Sequence, residues 1–578
     1  MKLPTATVEQ LARRIRVARG AEEADLVLEG GMVVDVFTQS LWPANVAVVD
    51  GFIAGVGPFT WKGKERIDAK GQFVLPGLID SHIHIESTLL PPPELARVMV
   101  PHGTSALIAD PHEIANVLGI PGIEMMLSAS AGLPFDCFYM ASSCVPASRW
   151  EESGATLGPS DVGRLLDLPQ ILGLAEMMDF PAILSGQAGA LGKVAVAEQH
   201  HRAVDGHAPL LSGMDLVAYT SAGIRSDHES THQDEAKAKA RLGMMVQVRE
   251  GSAEHNLDEL MPLLVADGLG DWSLASDDVF PTDLRAHGHL DGLLRRLVAA
   301  GVPPARAVRH AALCPAVHYG LNDRGAVAPG FRADLVVVDD LKSFAVRRVY
   351  KDGILAAQDG NYVFRGAPPS VPAANTVKLP KLSPTMFRLK LSGSRAPVVG
   401  LIPGQIVTKR LDREAPVADG EFTFRPEADV LLCANIERHG GSGNIGLGLV
   451  SGFGMKKRGA LGSSVGHDAH NLIVAGSHPE ELQAAALALA ETGGGFVVIK
   501  DGAVIARLPL PIAGLLSSAD LNTVCRQLDE VNGGAQALGC TMPAPFGILS
   551  FLALSVIPEL RVTTYGVLDV MRQQILTL

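Results

Sequence analysis

The chain is expected to fold as an α/β protein: a (β/α)8 barrel over residues 76–320, inserted in a small β-sandwich and followed by a C-terminal α/β domain. Three features support that expectation. Short apolar runs alternate with helical stretches between residues 76 and 320, a length that suits eight βα units, which take roughly 250 residues. Strand-like texture recurs on both sides of that region. The 578 residues exceed one ordinary core, and 61 glycines and 37 prolines imply many tight connections between short elements.

Residues 1–23 read as a helical extension carrying Arg13, Arg14, Arg16 and Arg19, with no secretory apolar region. Residues 24–57 then read as strand, turn, strand, with 25–29 breaking at Gly30-Gly31 before 32–35 and 46–51. The same texture returns at 333–339 and 345–353, so 24–75 and 321–368 are expected to pair into one discontinuous sheet domain. Between them, the apolar runs at 104–110, 137–140, 171–175 and 244–248 are separated by helical patterns. Repeated βα units imply parallel strands, and barrels of that kind carry their reacting groups at the carboxyl ends of the strands. A proline-rich link at Pro368, Pro369 and Pro372 leads to the third domain, 369–578, with strands expected near 429–434 and 496–500.

Composition narrows the function. A formal net charge of -13 argues against a nucleic-acid surface, which needs clustered Lys and Arg, and favours small or weakly charged substrates. The most apolar late run, 546–556, is too short to span a bilayer. A soluble, cytoplasmic protein without membrane contact is expected. The six cysteines contain no CxxC pair, so buried reduced thiols are expected in place of a disulfide frame or a thiolate metal site.

The chemistry is carried by side chains at expected strand ends. After the apolar run 73–79 comes Asp-Ser-His-Ile-His, and residues i and i+2 of a strand face the same way, so His82 and His84 can reach one ion while Ile83 packs behind them. Such a pair alone is as compatible with core or loop histidines as with a metal. Glu176, His207, His228 and Asp277 each sit at or just after another short apolar stretch, and the six together suit a paired-cation centre of neutral imidazoles and anionic oxygens. Glu176 is the natural bridge, since a carboxylate offers two oxygens to two ions, and its flanks Leu174, Ala175, Met177 and Met178 argue against a solvated strand-end acid. Asp277 can touch one ion and also take a proton from water. Its neighbour Asp278 should point elsewhere, either to substrate or to hold a loop. At 109–116, His112 and Glu113 are candidates for substrate contact and catalysis, although Asp110 before Pro111 also suits a helix start.

Two motifs are set aside. Gly-Ser-Gly-Asn-Ile-Gly at 441–446 matches GxGxxG but is followed by further glycines where a helix is required, and His84-Ile85-Glu86 matches HxE without any PCxxC. His467, Asp468, His470 and Asn471 form another polar cluster, expected to be a surface turn, with a lid over the pocket as the alternative.

Taken together, Pro-Gly-Leu-Ile-Asp-Ser-His-Ile-His-Ile-Glu-Ser at 76–87, Ala-Asp-Pro-His-Glu-Ile-Ala-Asn at 109–116, Gly-Leu-Ala-Glu-Met-Met at 173–178 and the segments 443–446 and 467–471 resemble the adenine deaminases of the amidohydrolase superfamily, metal-dependent hydrolases. The resemblance covers nearly the whole chain after the first twenty or so residues. It implies a binuclear centre, manganese above all, with iron or zinc also compatible, in which His82, His84 and Asp277 hold one ion, His207 and His228 the other, and Glu176 bridges. It further implies hydrolytic conversion of adenine to hypoxanthine and ammonia by a metal-activated bridging hydroxide attacking C6, a place in purine salvage, and a homodimer or larger homo-oligomer. Asp277, Glu176 and Glu113 are then the catalytic candidates, and His112 and Asp278 the substrate-binding ones. The alternative is an amidohydrolase acting on a cyclic amide, as hydantoinases and dihydropyrimidinases do. Those relatives typically bridge with a carbamylated lysine, and Lys193 is the nearest available. A scaffold that kept the barrel and shed the chemistry should have lost ligands, and this chain has not.

Overall fold

A computed structural model describes residues 6–252, 254–266, 272–403 and 405–578. The N-terminal helix Val8–Ala18 opens with a reciprocal cap: the Gln10 amide N–H donates to the Thr7 hydroxyl at 3.2 Å, and the Thr7 N–H donates to the Gln10 side chain at 2.8 Å. Nine strands hydrogen-bond into the small sheet. Alternation along them sends Leu26 and Leu28 to one apolar cluster and Val27 to another, as a period of two requires. Gly30-Gly31 does not end a strand, contrary to expectation. The strand runs unbroken over Ala24–Asp35 against Ser40–Val49, and a register shift between Leu28 and Gly31 absorbs the extra residue, with Gly30 at φ +72°. Strand Phe73–Pro76 pairs antiparallel with Leu335–Val338, so the chain entering the barrel lies beside the chain leaving it.

The barrel has eight parallel strands: β1 (Leu78–Ile83), β2 (Thr104–Ala109), β3 (Asp136–Ala141), β4 (Ile171–Met177), β5 (Ala203–Gly206), β6 (Ser226–Asp227), β7 (Met245–Arg249) and β8 (Trp272–Ala275). β1 to β5 form one hydrogen-bonded run and β6 to β8 another. Two seams close the ring. At one, the Asp277 N–H donates to the His82 carbonyl at 3.0 Å and the His84 N–H to the Asp277 carbonyl at 3.3 Å, beside a parallel bridge between Ile83 and Asp277. At the other, the Gly206 N–H reaches the Ser226 hydroxyl at 3.3 Å, and a Cβ on Gly206 would lie only 2.5 Å from the Ser226 carbonyl. The interior is filled by Ile79, Ile108, Phe138, Met140, Leu172 and Met245, with Ala316 and Tyr319 from helix Leu313–His318 and its end plugging one mouth. Polar side chains therefore collect at the opposite mouth.

Beyond the barrel, eight strands from Arg395–Leu401 to Ala503–Pro509 form a sheet that is antiparallel except where Arg395–Leu401 lies parallel to Ile445–Ser451. Helices Pro479–Glu491 and Leu521–Ala537 pack on it. The glycine-rich segment 441–446 leads into a strand, which removes the helix N-terminus that a dinucleotide site requires. All six cysteines are buried and none is in a disulfide, and no helix among the described residues is long and apolar enough to cross a membrane.

Candidate metal centre

Six strand-end side chains converge at the barrel mouth. The imidazole Nε2 atoms of His82 and His84 lie 3.2 Å apart, and Asp277 Oδ1 is 3.6 Å from the first and 3.2 Å from the second. Ile83 between them is fully buried in the core behind, as alternation demands. Glu176, the penultimate residue of β4, divides its two oxygens. Oε1 lies 3.3 Å from His84 Nε2 and 3.9 Å from His82 Nε2, whereas Oε2 lies 2.6 Å from His207 Nδ1 and 3.2 Å from His228 Nε2. One carboxylate thus faces two pairs of imidazoles.

These separations suit cations. Donor atoms about 2.1 Å from one ion stand roughly 3.0–3.4 Å from each other in octahedral or tetrahedral arrangement. All six residues are buried or nearly so, and they mix imidazole nitrogen with carboxylate oxygen, a donor set compatible with manganese, iron or zinc. Lys193 is not among them. It sits on helix Ala188–Gln199, where its ammonium donates to the Ser143 carbonyl at 2.5 Å.

The chain matches the amidohydrolase family over residues 73–355 and the adenine deaminase C-terminal domain over residues 405–574. It is 45% identical over 563 residues to an adenine deaminase of Dehalococcoides mccartyi, covering 97% of this chain and 98% of that protein. An adenine deaminase of Methanothrix thermoacetophila is 44% identical over 559 residues, with 96% and 97% covered, and one of Brucella anthropi 43% over 562, with 97% and 98% covered. The chain belongs to the adenine deaminase family of amidohydrolases. Membership implies a divalent metal, and the clustered His, Asp and Glu side chains offer it a place.

The groups that fix this adenine deaminase family site include several that sequence reasoning missed. Arg249, the last residue of β7, donates to Asp277 Oδ2 at 2.6 Å and to Glu229 Oε2 at 2.9 Å. Burial works to raise the Asp277 carboxyl, but the Arg249 guanidinium and the imidazoles of His82 and His84 outweigh it and hold that carboxyl well below its ordinary range. Glu229 itself was not singled out, yet its Oε1 lies 3.5 Å from both His207 Nδ1 and His228 Nε2. Burial likewise opposes ionisation of Glu176, and the imidazoles of His228 and His207 override it. The His207 imidazole, disfavoured by burial but facing Glu229 and Glu176, is raised to about 9. Protons are gathered where the carboxylates' negative charge is concentrated, the electrostatic setting a cation meets on binding.

Backbone anchoring has its own groups. The ammonium of Lys239, fully buried, bonds Asp227 at 2.7 Å, Glu235 at 2.8 Å and the Ala208 carbonyl at 2.8 Å. It therefore ties together the residues flanking His207 and His228. Asp80 accepts from His289 Nε2 at 2.8 Å and from the His82 N–H at 3.3 Å, fixing the start of the HxH segment. A charged residue closing an apolar strand, the pattern that revealed Glu176, was equally present at Arg249.

Residues 109–116 both start a helix and face the cluster. Asp110 accepts the His112 N–H at 3.0 Å at the start of helix His112–Leu118, while the His112 ring approaches Glu176 Oε1 at 3.6 Å and Asp468 Oδ1 at 3.7 Å. Glu113 is 1% exposed and reaches His467 Nδ1 at 3.2 Å. Asp278 accepts the Ser87 hydroxyl, and its charge also acts on His84, a partner of Asp277. The segment 467–471 is not a surface turn. His467, Asp468, His470 and Asn471 are all buried, because they pack into the barrel mouth against Glu113 and His112. Their polar character reflects that contact and not solvent.

Proposed function

We propose that the chain deaminates adenine hydrolytically, releasing ammonia and leaving hypoxanthine. The observation that carries this reading is the divided carboxylate of Glu176, with one oxygen toward His82 and His84 and the other toward His207 and His228. In our reading His82, His84 and Asp277 would hold one divalent cation and His207 and His228 a second, with Glu176 available to both, manganese being the metal we favour. Bound there, such cations supply Lewis acidity that brings water within reach of ionisation near neutral pH.

The chain's own residues do the rest. Arg249 pins one oxygen of Asp277 and keeps the carboxylate ionised, so the other oxygen is a fixed proton acceptor beside His84. Of the two protons of the attacking water, one ends on N1 of the product and one on the departing amine. Asp277 takes the first. Glu113 lies close enough to His84 and His112 to serve the purine ring, and its ionised carboxylate accepts an N–H or holds a proton in transit. His112 and Asp278, at the same mouth, are the polar side chains we assign to the remaining purine edges. Burial of these groups strengthens each hydrogen bond they make to the developing charge.

The Lys193 ammonium is taken up by the Ser143 carbonyl, and Glu176 already faces both imidazole pairs, which disfavours cyclic-amide hydrolysis through a carbamylated bridge. An ammonia-release assay on adenine, with and without added manganese, tests the proposal against ring opening of hydantoin and dihydrouracil. Metal-dependent ammonia from adenine alone supports it. Ring opening without ammonia from adenine overturns it.

A further inference from the structure

Glu113 is one of the residues at which barrel and C-terminal domain meet. Its Oε1 lies 3.2 Å from His467 Nδ1, and its Oε2, fully enclosed, has no hydrogen-bond partner. Opposite stands His470 Nε2, 4.0 Å from Oε2 and equally without a partner. The Gly466 N–H donates to His470 Nδ1 at 3.3 Å, so the proton of the neutral ring sits on Nε2. A buried donor and a buried acceptor thus face each other across a gap too long for a hydrogen bond. Leaving both unmade is costly unless a bound group donates to one and accepts from the other. A lone metal ion fits poorly there, because a protonated Nε2 has no lone pair to give. The His467 ring is itself held flat against Phe551, with centroids 4.4 Å apart and planes 9° apart.

We infer that the C-terminal domain is part of the reaction site, with His467 as the positioning residue for Glu113: it occupies Oε1 so that Oε2, with His470 Nε2 beside it, engages a nitrogen-containing edge of the substrate ring. The inference rests on the proposed deamination, in which Glu113 touches the purine. It also gives the buried polar segment 467–471 a task that burial alone does not explain.

His467→Phe keeps a flat ring against Phe551 and removes the N–H, whereas His467→Asn restores a donor near the Nδ1 position. The Phe variant is expected to lose about 10- to 100-fold in kcat, the scale of one charge-assisted hydrogen bond, with a smaller change in KM and unchanged metal content. The Asn variant should recover most of the loss. Adding His467→Phe to Glu113→Gln should cost little beyond Glu113→Gln alone, since both changes break one unit. Wild-type kcat in the Phe variant, no recovery in the Asn variant, multiplicative loss in the double variant, or loss of metal from the Phe variant each overturns the inference. Wild-type protein that binds metal yet releases no ammonia from adenine would instead overturn the proposed function.

Discussion

Replacing Arg249 by methionine should destabilise the metal-free protein far more than the metal-loaded one. The guanidinium is 4% exposed and bonds Asp277 Oδ2, both oxygens of Glu229 and, at 2.8 Å, Asn256 Oδ1. Methionine fills much of its volume but leaves two buried carboxylates without a cation. Removing one partner of a buried ion pair costs about 3–5 kcal/mol, and that is the deficit expected for the metal-free variant. Cations bound beside Asp277 restore positive charge there, so the deficit should shrink on loading. Acid should shrink it too. Against burial, which raises both carboxyls, Arg249 holds Asp277 and Glu229 below their ordinary values of 3.8 and 4.5. That contribution is fully present above those values and is lost as pH falls through the lowered ones. Urea unfolding of wild type and variant, each with chelator and with manganese, reads the four states side by side. Equal deficits with and without metal, or none without it, would show that Arg249 does not stand in for a cation at Asp277.

Asp277→Asn should retain metal and lose most turnover, about 100-fold or more, as expected when a proton acceptor is removed. Metal analysis beside an ammonia assay checks it, and near-normal turnover would remove Asp277 from the mechanism. Lys239→Met strands Asp227 and Glu235 and frees the Ala208 carbonyl, so it should cost about 3–5 kcal/mol and weaken metal binding at His207 and His228 before His82 and His84. Unfolding together with a metal titration would show whether the two losses travel together. Asp25, opposed by burial but bonded by Lys64, Arg13 and the Asp50 N–H, is lowered to about 2. Its contribution is present above the ordinary value of 3.8 and lost as pH falls through about 2, so amide protection in helix Val8–Ala18, taken relative to the intrinsic exchange rate, should fall over that window. The change should be flattened in Asp25→Asn.

Much of the site was legible because it is local. The i, i+2 spacing of His82 and His84 fixes their common direction, and Glu176, His207, His228 and Asp277 each announce themselves as polar groups closing an apolar strand. The parallel strands follow from the same alternation of apolar runs and helices, and their number from the length of the segment. What was not legible depends on pairings between distant elements. Lys239 lies in a helix of charged residues whose sequence gives no sign that its ammonium is buried. Gly30-Gly31 suggested a turn, but pairing with Ser40–Val49 carries the strand through them. His467 to Asn471, flanked by glycine and serine, look like a solvated turn until Glu113 and His112, more than 350 residues earlier, are placed against them.

A manganese titration of chelated protein, monitored by bound metal and by ammonia release from adenine, tests whether two cations share Glu176. A break at two equivalents per chain, with activity rising to the same point and both lost in Glu176→Ala, is expected. Saturation at one equivalent, or full binding of two in Glu176→Ala, would contradict the paired-cation centre.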